Sequence, residues 1–214
     1  MRSFVTTIKA VLDRFGAALA LLLLSPVFAA IVVWIWLDDG RPALIAQERA
    51  GRVGKPFRML KFRTMVVDAV EAGKRLGLAD PWGLLPDDPR ITRSGRFLRR
   101  TSLDELPQLI NVLKGEMSLV GPRPDLVEQV ANYSTRDRRR LAVRPGITGW
   151  SQVQGREEIG WPERFEQDAW YIEHWSLRLD AKILLATFAQ LFRSDEAPVE
   201  DTMNIERARA RENG

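Results

Sequence analysis

Two adjacent carboxylates, Asp104 and Glu105, stand in a stretch crowded with cations: Arg99 and Arg100 precede them, and Pro122-Arg123-Pro124 follows. Paired acids of this kind can serve as a nucleophile, as a proton carrier or as ligands to a divalent cation. Guanidinium groups bind phosphate oxygens bidentately, so the combination points to a site that manages negative charge from both protein and substrate. A plainer role is open as well, because acidic residues in a helix's first turn are favoured by its dipole. Ser102 followed by Glu105 fits a capping box, and Pro107 fits a helix start. Leu106, Leu109, Ile110 and Leu113 then recur at helical spacing as far as Gly115. The dyad is therefore expected at the start of a short helix.

An uncharged run over residues 17–37 precedes this region. It is long enough for a membrane helix, which needs roughly 20 apolar residues. No small-residue cleavage site follows it, and Trp34 and Trp36 sit at its end, which argues against a cleaved signal. Ser25-Pro26 interrupts its middle. Proline removes a backbone donor and disturbs the helix, and serine can satisfy the freed group. A kinked spanning helix and a re-entrant helix both accommodate this pair. Arg2, Lys9 and Arg14 favour a cytoplasmic N-terminus. A spanning helix would then export the arginine-rich remainder, away from phosphorylated sugars, whereas a re-entrant helix keeps both ends on the cytoplasmic face.

Beyond the turn-like residues 38–42, a short strand is expected over 43–46, a polar loop over 47–54 and a half-buried strand over 57–65. That second strand would show Arg58, Lys61 and Arg63 on one side. Helices are expected over 66–78 and 95–100, then over 126–141, 161–175 and 180–192, with a Pro- and Asp-rich loop over 79–89. Arg136, Arg138, Arg139 and Arg140 read as a solvated face near a helix end. Residues 144–149 read as a rigid loop whose glycines let backbone approach a ligand closely. The fold class is α+β and helix-rich. Its parts are a membrane segment over 1–40, a small cytosolic catalytic domain over 41–193, and a polar tail over 194–214 expected to be poorly ordered.

The chain has 214 residues and no cysteine, which excludes disulfides, thiolate catalysis and cysteine metal sites. Its single histidine, His174, excludes a multi-histidine metal cluster and reads as structural. A net charge of +4 fits anionic lipid, phosphorylated substrates or nucleic acid. Seven tryptophans fit a membrane interface or a core. There is no P-loop, dinucleotide fingerprint or zinc spacing.

Four blocks in order resemble the bacterial sugar transferases, the monotopic phosphoglycosyl transferases. They are Lys61-Phe62-Arg63-Thr64-Met65, Leu98 through Gln108, Ser118 through Pro124, and Arg144-Pro145-Gly146-Ile147-Thr148-Gly149-Trp150. Where the family usually shows asparagine, this chain has Gln154. The resemblance implies a re-entrant helix broken at Ser25-Pro26, in the bacterial inner membrane with the catalytic domain on the cytoplasmic face. It implies transfer of a sugar-1-phosphate from a UDP-sugar to polyprenyl (undecaprenyl) phosphate, the first membrane step of exopolysaccharide or other glycoconjugate assembly. Asp104 would be the nucleophile, forming a covalent phosphosugar intermediate, and would also contact Mg2+. Glu105 would orient the metal or assist proton transfer. Lys61, Arg63, Arg99, Arg123 and Arg144 would hold phosphates. The bilayer and the two substrates are the expected partners, a homo-oligomer is allowed, and nucleic acid is not expected. The competing class is a membrane-tethered basic binding or accessory protein without catalysis, which gives no reason for the acidic dyad.

Overall fold

A 38-residue helix, α1 (Arg2–Asp39), runs through the whole apolar segment and continues past Pro26. The proline does not end it because a neighbour repairs the damage. Pro26 has no N–H to offer the carbonyl four residues back, and the Ser25 hydroxyl donates to that Leu22 carbonyl at 2.8 Å. The computed structural model describes residues 2–77, 88–155 and 160–191. The expected loop over 79–89 lies mostly outside these residues, and the expected tail wholly so.

One face of α1 is buried, at Asp13, Ala17, Ile31 and Ile35, and it packs on the domain along both halves of the helix. Ala17 joins Phe57, Met59, Leu109, Val112 and Met117 in one core, and Ile31 and Ile35 join Ala43, Phe62 and Leu98 in another. Polar ties bind both ends. Near the N-terminus Lys9 pairs with Asp180, and Ser118 donates to Asp13 at 2.6 Å. At the C-terminus Asp38 accepts from the Ser94 amide at 2.7 Å, and Asp39 pairs with Arg63. Between these ties the opposite face exposes Val11, Phe15, Leu19, Leu22, Leu23, Val33 and Leu37.

Strand β1 (Leu44–Ala50) pairs antiparallel with β2 (Pro56–Phe62), so the first half of the expected polar loop over 47–54 is strand, with a tight turn at Arg52–Gly54. The expected cationic face of β2 does not form. Side chains alternate along a strand, and Lys61 points inward with Phe57 and Met59 while Arg58 points out. Helix α2 (Ala69–Arg75) is shorter than the span expected. Helix α3 (Arg93–Arg100) is capped by Thr92, whose hydroxyl accepts from the Gly95 amide at 3.0 Å. A Cβ on Gly95 would lie 2.0 Å from the Thr64 carbonyl, so glycine alone lets α3 sit against the end of β2.

Helix α4 (Gln108–Lys114) precedes β3 (Ser118–Val120), which pairs in parallel with β4 (Gly146–Thr148). The glycines expected to open a path to a ligand instead let two chain segments touch. A Cβ on Gly146 would lie 2.1 Å from the Gly121 amide. The single helix expected over 126–141 is two pieces, α5 (Val127–Ala131) and a tight 3-10 stretch at Asp137–Ala142. Helices α6 (Trp150–Gly155), α7 (Trp161–His174) and α8 (Leu177–Leu191) complete the described residues, the last two close to the spans expected. Tyr171 and Ile183 from α7 and α8 pack with Val120 of β3 in a further core.

Candidate active site

The dyad lies on a 3-10 turn of its own, Leu103–Glu105, ahead of α4. The expected capping box is absent. Ser102 makes no side-chain cap bond and holds a left-handed conformation, φ 55°. A non-glycine residue there is uncommon and stores strain. This kink turns the chain between α3 and the acidic pair. Asp104 is 9 % exposed, so its carboxylate is a buried group.

Glu105 has two cationic partners. Lys61 Nζ lies 3.3 Å from Glu105 Oε1, and Arg123 Nη2 donates to the same oxygen at 2.9 Å. Three separate elements therefore meet at one carboxylate: the inner face of β2, the dyad turn and the Pro-Arg-Pro loop after β3. A buried cation needs such a partner to remain charged.

Two residues that the sequence pattern does not single out hold these elements in place. Asn111 on α4 is fully buried and bonds the edge of β2 as a neighbouring strand would. Its Oδ1 accepts from the Leu60 amide at 3.0 Å, and its Nδ2 donates to the Arg58 carbonyl at 2.8 Å and to Glu116 at 2.7 Å. An amide inside the apolar stripe of a helix is the one signal that marks it. Arg140 is the other, and the solvated face expected for it is corrected. It is 3 % exposed, pairs with Asp125 and with Asp168 at 2.7 Å, and donates to the carbonyl of Arg123 at 3.0 Å. Burial works against this cation, but Asp125 and then Asp168 outweigh it and hold Arg140 protonated more firmly than an ordinary arginine. Nothing in a run of arginines distinguishes the buried one.

The remaining expected phosphate ligands take separate positions. Arg63 is buried and spends its guanidinium on the end of α1. It donates to Asp39, to the carbonyls of Asp39 (3.0 Å), Gly40 (2.6 Å) and Pro42 (2.6 Å), and to Met65 O at 3.3 Å. Arg99 Nε donates to the Thr64 hydroxyl at 2.8 Å. Arg144 has Asp13, Arg14 and Arg52 as charged neighbours. Its pKa falls below the ordinary value through burial, opposed by Asp13 and assisted by Arg14 and Arg52. Ser25 and Pro26 are exposed in mid-helix. His174 Nδ1 donates to the Trp170 carbonyl at 2.9 Å, and the imidazole stacks on the Trp170 ring.

Among the described residues no group of three or more His, Asp or Glu side chains could hold a metal ion. Adjacent carboxylates beside the cations Lys61 and Arg123 do fit Mg2+. That ion usually takes only one or two protein carboxylates and fills its remaining positions with waters and substrate phosphates.

The sequence profile of the bacterial sugar transferases, "Bacterial sugar transferase", matches residues 4–194. The chain belongs to this family. It is 40 % identical over 200 residues to the uncharacterized sugar transferase EpsL of Bacillus subtilis, covering 94 % of this chain and 95 % of that one. It is 41 % identical over 201 residues to the undecaprenyl-phosphate galactose phosphotransferase of Salmonella typhimurium, covering 89 % of this chain and 41 % of that one. It is 44 % identical over 183 residues to the UDP-glucose:undecaprenyl-phosphate glucose-1-phosphate transferase of Escherichia coli, covering 82 % and 38 %. The chain thus spans nearly all of the first relative and about two fifths of the other two.

Proposed function

We propose that this sugar transferase moves a hexose-1-phosphate from a UDP-sugar to a polyprenyl phosphate through a covalent Asp104 intermediate. The observation that carries this reading is the Lys61–Glu105–Arg123 cluster beside buried Asp104, in a chain of this family. Relatives named for galactose and glucose transfer support a UDP-hexose donor.

In the first half-reaction an Asp104 oxygen attacks the phosphorus attached to the sugar. A phosphorus–carboxylate bond forms, the bond to the departing phosphate breaks, and UMP leaves with the electron pair. In the second, an oxygen of the polyprenyl phosphate attacks the same phosphorus and Asp104 is released. A carboxylate meeting a diphosphate faces strong repulsion, so catalysis depends on fixed positive charge. Lys61 and Arg123 supply it, and Glu105 keeps both aimed in the absence of substrate. Held between two cations, Glu105 serves better as their organiser than as a proton carrier. Mg2+, held by Asp104 and the substrate's phosphates, would supply further charge neutralisation there.

The setting we propose for α1 is re-entrant, with both ends and the catalytic domain on the cytoplasmic face of the inner membrane. Its support is the pair of polar ties at either end of the helix. Asp13 and Asp39 are separated by about 39 Å of helix, counted along its length through Pro26. That exceeds the roughly 30 Å of a bilayer's hydrocarbon core, yet both residues bind one and the same domain. A spanning helix would place those two ties on opposite sides of the membrane.

The test is UMP release by the purified, detergent-solubilised chain, given a panel of UDP-sugars, undecaprenyl phosphate and Mg2+. Release with one sugar, absent in Asp104→Asn, is expected. A folded protein that releases no UMP from any donor would leave a tethered binding protein as the better reading.

A further inference from the structure

A cavity of about 280 Å³ at the corner between α7 and α8 is lined by Trp170, His174, Ser176, Arg178, Leu179 and Lys182. None of these residues takes part in the Asp104 site. No carboxylate lines it, and neither Arg178 nor Lys182 has an ion pair or hydrogen bond among the described residues. One wall is an aromatic ladder. Trp150 stacks on Trp170 with ring centres 5.0 Å apart, and Trp170 stacks on His174 at 4.5 Å.

The exposed surface of α8 changes character along its axis. Arg178 and Lys182 occupy the first two turns. Leu185 and Phe188 follow in the next two, 70 % and 61 % exposed, with Leu177 and Ala181 exposed beside the cations. From Arg178 to Phe188 the helix rises about 15 Å, roughly half a bilayer's hydrocarbon thickness. The opposite, buried side of α8 is tied to α1 through Lys9 and Asp180, which leaves this face turned outward.

We propose that the α7–α8 corner binds the headgroup of a single anionic phospholipid, with an acyl chain lying along Leu185 and Phe188. The cavity lies below the range of pockets that hold drug-sized ligands, so it suits a small phosphate-bearing headgroup better than a nucleotide sugar. Two cations without an ion pair among the described residues match one phosphodiester, and the indole wall suits a site at the water–lipid boundary. A zwitterionic headgroup would bring its own cation towards Arg178 and Lys182. The site lies outside the Asp104 machinery and does not rest on the transferase reading.

The test is native mass spectrometry of the full chain in a non-lipid detergent, titrated separately with phosphatidylglycerol, phosphatidylcholine and glycerol-1-phosphate. Two double variants accompany it, Arg178→Gln with Lys182→Gln, and Leu185→Ser with Phe188→Ser. All four residues are exposed, and circular dichroism checks each fold. Wild type is expected to retain one more phosphatidylglycerol than the cation variant, whose affinity falls about thirtyfold, as expected for two near-surface cations. The Leu185 and Phe188 variant should lose phosphatidylglycerol but keep its response to glycerol-1-phosphate. UMP release by the cation variant in detergent should match wild type, which separates this site from the catalytic one. Three results would overturn the proposal. Equal retention of phosphatidylcholine means an apolar face alone, and glycerol-1-phosphate binding as tightly as the lipid means a free-phosphate site. Equal, low retention by all three proteins leaves the face to residues 192–214 or to a second copy of the chain.

Discussion

Arg140 holds the carbonyl of Arg123 at 3.0 Å from inside the domain, and the other end of Arg123 holds Glu105. The peptide that presents a site cation is thereby fastened to a buried ion network of Arg140, Asp125, Tyr133 and Asp168. Burying these charges is costly, and removing one partner strands the others.

Arg140→Ala should therefore lower unfolding stability by about 3–5 kcal/mol. Chemical denaturation in detergent measures it. Arg140→Ala and Asp125→Ala together should cost clearly less than the sum of the two single changes, because each removes the other's partner. Additive costs would mean that the two charges do not act as a pair.

Glu105→Gln should leave the fold intact and slow turnover by about ten- to a hundredfold, the usual scale for a group that aims catalytic charge. Lys61 and Arg123 lose their shared anion but keep their own charge, so the donor KM should change less than kcat. Steady-state UMP release over a range of donor concentrations separates the two. A loss as complete as that of Asp104→Asn would instead place Glu105 in the bond-making step.

Asn111→Ala leaves the Leu60 amide, the Arg58 carbonyl and Glu116 without their buried partner. The cost should be about 2–4 kcal/mol, from two or more unsatisfied polar groups. Hydrogen exchange should show the loss locally, as faster exchange at the Leu60 amide. Unchanged protection there would mean that α4 does not brace β2.

Removing divalent cations with EDTA should stop UMP release, and adding Mg2+ back should restore it. The thermal unfolding midpoint should not move, since the described residues hold no cluster of three or more metal-binding side chains. A midpoint that drops with EDTA would reveal a structural metal instead.

The parts of this molecule legible in its sequence are those set by short-range pattern. The apolar segment, the β2 strand, α7 and α8 follow from periodicity, and the motifs point to the family. The dyad's place ahead of a short helix was readable, but its capping was not. Ser102 turns left-handed instead of bonding, which no local pattern announces. The inward direction of Lys61 depends on which face of β2 meets α4. The burial of Arg140 depends on Asp125 and Asp168, residues 15 positions before it and 28 after it. The parallel pairing of β3 with β4 joins segments that carry no strand pattern of their own, so only the tertiary contact between Gly121 and Gly146 reveals it.

Arg63 closes the C-terminal end of α1, and Lys61, two residues earlier on the same strand face, meets Glu105. One short stretch of backbone thus joins the end of α1 to the acidic pair. In the membrane setting proposed above, the height of Asp104 above the lipid would be fixed like a mark on a ruler. A chain-bound phosphate arriving in the plane of the membrane would then meet the site at one depth, and soluble phosphates of the same chemistry would gain nothing from that alignment.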